Sequence, residues 1–207
     1  MWWRMAERAQ GIGPAHRKRL FWRLFAFPPV RAAVVGVCRY MSRRVERQRG
    51  RPTAESACGV VRLWRIERFR DVSLLPEEPW PLSDDVVLRG DDPVLDFHIV
   101  GDKLFALLSS GHRWRPIIRE EFRSLAPQLE GREEVALVGS TILAGQVAEF
   151  GAVLRPIPSG LHRSWDTFYR KLILLAFHPG GADRAARESP PVLEAAIARV
   201  EFCRRFR

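Results

Sequence analysis

The charge of this chain breaks at residue 52, and the break limits what the chain can fold into. Residues 1–52 hold 13 Lys and Arg against two acids, Glu7 and Glu46, while the 155 residues that follow hold 21 bases and 22 acids. A segment so rich in one charge does not bury itself as a domain. The break predicts a basic extension over residues 1–52 ahead of a nearly neutral globular domain over residues 53–207. With 46% hydrophobic residues the chain has enough apolar surface for a core. Cys38, Cys58 and Cys203 are scattered, with no CxxC and no Cys/His ligand spacing. That pattern implies reduced thiols and neither a metal site nor a cofactor.

The extension mixes its charge with Trp2, Trp3, Phe21, Trp22, Phe25, Phe27 and Tyr40. Its longest uncharged run after the Pro-Pro pair, Ala32 to Cys38, is far short of the ~20 residues a spanning helix needs. Residues 16–49 instead read as one or two amphipathic helices with a hinge at Pro28-Pro29. Arg17, Lys18, Arg19, Arg23, Arg31, Arg39, Arg43 and Arg44 could reach lipid phosphates while Trp22 sits at the interface. The partner implied is an anionic membrane surface, and the location the cytoplasmic side, peripheral to the inner membrane face. Two alternatives remain. The aromatic residues could pack on the body as a helical hairpin. The arm could also bind nucleic acid, with Arg on phosphates and Trp stacked on bases. The aliphatic run Val34-Val35-Gly36-Val37 favours lipid.

The body predicts an α+β (mixed α/β) fold, a small mixed sheet with packed helices. Residues 48–57 read as a linker and 60–69 as a strand. Pro76, Pro79 and Pro81 mark residues 71–84 as a loop. Short strands follow at 86–88, 94–100 and 103–108, with Gly101-Asp102 as a hairpin turn. Trp114, Ile118, Phe122, Leu125 and Leu129 recur at helical spacing, with Pro116 in the first turn and Gly131 at the stop. A strand at 134–138, a helix capped by Ser140 or Thr141, and a strand at 152–157 form a unit compatible with parallel pairing. Ser164 caps a further helix that ends at Pro179-Gly180-Gly181. Ser189 with Pro190-Pro191 opens a final helix with Leu193, Ile197, Val200 and Cys203 on one stripe.

The candidate chemistry centres on Asp96 and His98. In a strand over 94–100, Leu95, Phe97 and Ile99 face one side and this pair the other, about 7 Å apart. A carboxylate and an imidazole so placed can act as base and orienter, or equally hold the sheet's polar face by hydrogen bonds. No nucleophile lies near them in sequence, so a non-catalytic role leads and an enzyme acting on envelope glycan or lipid-linked precursors is the alternative. His112, His162 and His178 read as loop or helix-end residues. Gly139-Ser140-Thr141 reads as an ordinary strand-to-helix turn, without the glycine pattern or lysine of a phosphate loop.

The stretch Gly90-Asp91-Asp92-Pro93-Val94-Leu95-Asp96-Phe97-His98-Ile99 resembles the "GD-x-V-x-E-x-H" segment of the bacterial YkoP-like domain family, with Asp96 at the Glu position. Ala136 to Thr141 followed by Glu149-Phe150-Gly151-Ala152-Val153 is similar to that family's "G-x-T … GF-x-V" segment, with Phe150 before Gly151 rather than after it. The resemblance spans roughly residues 60–180. It implies a domain of the kind found beside polysaccharide deacetylase modules in envelope proteins, and no reaction of its own.

Overall fold

A computed structural model describes residues 27–73, 75, 78–109, 113–141, 144–157, 168–169, 171–173, 175–176 and 192–207. The first element among the described residues is helix α1 (Pro28–Arg49). Pro28 and Pro29 occupy its first positions, where the missing N–H groups would be unsatisfied in any case. The prolines start this helix and break nothing downstream of them. Residues 16–26 of the expected amphipathic segment lie outside the described residues.

Among the described residues, six strands form the main sheet in the order β1-β2-β5-β6-β8-β7. They are β1 (Ala54–Glu55), β2 (Val61–Ile66), β5 (Val94–Ile99), β6 (Ala136–Thr141), β7 (Val153–Pro156) and β8 (Leu193–Ala198). β3 (Trp80–Pro81), inside the expected 71–84 loop, and β4 (Val87–Leu88), at the strand expected over 86–88, make a separate ribbon. Among the described strands of this sheet, β5 and β6 pair in parallel and the other neighbours are antiparallel. The fold is α+β with a mixed sheet, as the pattern predicts.

Period-two alternation decides the two faces. Val61, Leu63, Leu95 and Leu137 point to one side, with Phe97 and Ile99 packed against them. Helix α3 (Trp114–Leu129) and helix α5 (Arg199–Phe206) cover that side. α3 brings Ile118, Phe122, Leu125, Ala126 and Leu129, all buried at helical spacing, and α5 brings Phe202, Cys203 and Phe206. Phe122 is the hub: its ring meets those of Phe97 at 5.7 Å, Phe150 at 5.3 Å, Phe202 at 5.2 Å and Phe206 at 4.9 Å. The opposite side carries Val94, Ala136, Val138 and Ala196 under Phe69, Trp80 and Leu88. A third, smaller cluster joins Val34 and Cys38 of α1 to Leu175 and Ala176.

Four expected elements differ, the first being the linker at 48–57, where α1 runs to Arg49 and β1 forms at Ala54–Glu55. Residues 101–109 form helix α2 (Gly101–Ser109), not the second strand of a hairpin. Leu104 and Leu107 at i and i+3 reach the main core, and Asp102 favours the positive end of the helix. Leu193–Ala198 is a strand, and the helix starts at Arg199. Leu, Glu and Ala favour a helix locally, but β8 pairs with β6 on one side and β7 on the other, and that double ladder overrides propensity. β8 therefore separates β6 from β7, which are not paired with each other. Finally, Gly139, Ser140 and Thr141 lie within β6, opposite Ala195, Glu194 and Leu193. The following helix α4 (Ala144–Glu149) starts later, so they form no turn. Residues 168–169, 171–173 and 175–176 are helical; both ends of that expected helix lie outside the described residues.

Candidate functional site

The antiparallel register of β2 and β5 sets Arg62 opposite His98 and Trp64 opposite Asp96. All four fall on the face away from the main core. Asp96 and His98 thus share one strand face, with Leu95, Phe97 and Ile99 on the other.

Helix α1 crosses above this polar face. Its last residue, Arg49, forms an ion pair with the Asp96 carboxylate. The Arg49 guanidinium also stacks 5.4 Å over the Trp64 ring, and the Trp64 Nε1–H donates to the Gly50 carbonyl at 3.2 Å. One turn earlier, Glu46 accepts from Arg62 at 2.6 Å. Arg62 also donates to Glu55 at 2.8 Å, and Lys103 stands 3.6 Å from the same carboxylate. Burial works against the Glu55 charge, but the Arg62 hydrogen bond and the Arg62 and Lys103 charges outweigh it and hold that carboxyl below its usual range.

His98 edges onto the Trp64 ring at 6.1 Å and opens into a cleft of about 210 Å³. The cleft lies between α1, the end of β5 and the start of α2. Arg39 and Arg43 on α1, Arg62 on β2 and Lys103 on α2 line it, together with Glu46 and Asp102. The two residues singled out as a pair therefore part company. Asp96 is engaged beneath α1, while His98 lines the cleft wall.

The other basic candidates are spread over α1. Arg31 turns towards the body and donates to the Ala176 carbonyl at 3.4 Å. Arg44 is exposed. Arg17, Lys18, Arg19, Trp22 and Arg23, like His112, His162 and His178, lie outside the described residues. Arg62 and Lys103 escaped the sequence reading. The signal for Arg62 was present, since alternation in β2 puts it on the polar face, but the pairing with His98 required the register. Among the described residues, no three His, Cys, Asp or Glu side chains gather as a metal site.

Two buried polar clusters also went unseen. Glu121 on α3 is only 2% exposed. It accepts from the Ser56 hydroxyl and from the backbone N–H groups of Cys58 and Val60 at 3.1 Å each, so one carboxylate holds the whole β1–β2 turn. Its hydrogen bond and charge, with some burial, push the exposed Cys58 thiol up. At the far edge of the sheet Arg155 donates to Glu194 at 2.6 Å and to Ser73 at 2.5 Å. Its guanidinium lies 4.2 Å from the Trp80 ring centre, clamping the β3–β4 ribbon down.

The sequence model of the YkoP domain matches residues 77–201, more than half of the chain. The chain belongs to the YkoP domain family. The match takes in β5, α2 and Lys103 and leaves out Arg39, Arg43 and Arg62. No curated protein and no solved structure matches the chain.

Proposed function

We propose that this YkoP domain protein is a non-catalytic protein of the cell envelope, held at the cytoplasmic face of an anionic membrane by its basic N-terminal helix. The observation that carries this reading is the outward face of α1. Val34 and Cys38 bury the inner face against the body. Val30, Ala33, Val37 and Tyr40, at i, i+3, i+7 and i+10, remain exposed on the other, Val37 at 56% and Tyr40 at 58%. Arg44 and Arg47, seven residues beyond Val37 and Tyr40, flank the end of this apolar stripe and are exposed too. An interfacial helix needs an apolar stripe to enter the headgroup region with cations beside it. Each cation near an anionic leaflet adds about 1 kcal/mol, so the flank is enough to hold a weakly inserted helix. No described helix is long and apolar enough to cross a membrane, so attachment would be at the surface.

Vesicle flotation tests the reading. The full chain should float with phosphatidylcholine vesicles containing phosphatidylglycerol, less so with phosphatidylcholine alone, and less as salt rises. Val37→Glu with Tyr40→Glu should abolish flotation without unfolding the protein, since both side chains are exposed. Equal binding of the double variant, or tighter binding to DNA in the same buffer, overturns it.

A further inference from the structure

We infer that the cleft between α1 and the polar face of the sheet is a binding site for a phosphate group. Its chemistry differs from that of the outward helix face, and it does not require a membrane. Arg39 and Arg43 stand one helical turn apart on one wall, with Arg62 on β2, Lys103 at the start of α2 and His98 on β5 completing it.

The internal ion pairs decide which of these cations can serve a ligand. Arg62 is committed to Glu46 and Glu55, and Lys103 leans on Glu55. Glu46 is therefore spent on Arg62, and Asp102 accepts from the Lys103 backbone N–H at 2.9 Å, at the first turn of α2. Arg39 and Arg43 make no ion pair with any described residue, yet both line the cavity. Two adjacent guanidinium forks facing a recess form a receptor for a tetrahedral oxyanion, which they can grip bidentately. The size agrees. At about 210 Å³ the cleft is smaller than the ~300–1,000 Å³ of drug-sized ligand sites. It suits a phosphomonoester group whose remainder extends outwards. Arg39 and Arg43 are themselves exposed, so a ligand reaches them from solvent. Its phosphate could be a lipid headgroup or a soluble phosphate.

The full-length protein separates the sources. In solution without lipid, inorganic phosphate should raise the melting temperature saturably, with chloride at equal ionic strength as control. Arg39→Gln with Arg43→Gln should weaken the apparent affinity at least about tenfold, because two charge-assisted contacts are lost. Circular dichroism checks that this variant folds. In flotation, phosphatidic acid vesicles matched in surface charge to phosphatidylserine vesicles should bind more tightly if a lipid supplies the group, and this preference should vanish in the same variant. A phosphate-dependent shift without the lipid preference supports the site with a soluble ligand. If neither effect depends on Arg39 and Arg43, there is no phosphate site. If phosphate stabilisation and the phosphatidic acid preference are both unaffected in Arg39→Gln/Arg43→Gln while Val37→Glu/Tyr40→Glu still abolishes flotation, the membrane reading stands and this one falls.

Discussion

Arg49 and Asp96 form an ion pair that fastens the last turn of α1 to the middle of the sheet. The carboxylate is largely buried there and the guanidinium is about two-thirds buried, so removing one partner costs more than breaking a surface bridge. Arg49→Ala should lower stability by about 1–3 kcal/mol, since it leaves the Asp96 charge under α1 without that cation. Adding Asp96→Asn should restore part of the loss. Urea unfolding of the two single variants and the double variant reads the coupling, and strict additivity would show that the pair does not matter.

Cys38 reports whether α1 stays seated. It is 1% exposed against Leu175 and Ala176, and burial pushes its thiol up. In the folded protein it should resist an aromatic disulfide reagent that labels exposed Cys58 first. If α1 lifts from the body on anionic vesicles, Cys38 should become reactive there. Protection in both states means the helix binds lipid while still seated.

We propose that residues 53–207 fold without the extension. No residue of α1 belongs to either larger core cluster. Deleting residues 1–52 should therefore leave a cooperative transition at a lower melting temperature, since it removes the Arg49–Asp96 pair and the Val34/Cys38 contacts. A molten or insoluble product defeats the two-part division.

Phe122→Ala should cost about 3–5 kcal/mol, as expected for a buried aromatic that touches four other rings. Chemical denaturation measures it. A loss below 1 kcal/mol would mean that the cluster repacks around the gap.

Stability should fall in acid through Glu134. Burial opposes its charge, but the hydrogen bond from Arg132, its own backbone hydrogen bond and the nearby Arg132 and Arg65 charges outweigh this and hold the carboxyl below its usual range. A depressed folded value means the contribution is complete above the ordinary carboxylate value of about 4.3 and is lost as pH falls through the folded one. Denaturation midpoints between pH 6 and pH 3 should drop, and Glu134→Gln should flatten the drop.

Local pattern was enough for β2, β5 and α3. The alternation of Val94–Ile99 and the spacing of Ile118, Phe122, Leu125 and Leu129 are properties of a few successive residues. They place Asp96 and His98 on one face without any knowledge of neighbours. The charge break, likewise, is plain in the residue count. Leu193–Ala198 shows the limit. Its residues suit a helix, and they become a strand because β6 and β7 offer hydrogen bonds on both sides. Residues 101–109 go the other way, since Leu104 and Leu107 find the core only when wound into a helix. The cleft is of the same kind. Arg39, Arg43, Arg62, His98 and Lys103 are up to 64 positions apart in the chain. Strand register and the seat of α1 bring them to one recess, because contacts between distant segments depend on how elements pack and not on any one segment's own pattern.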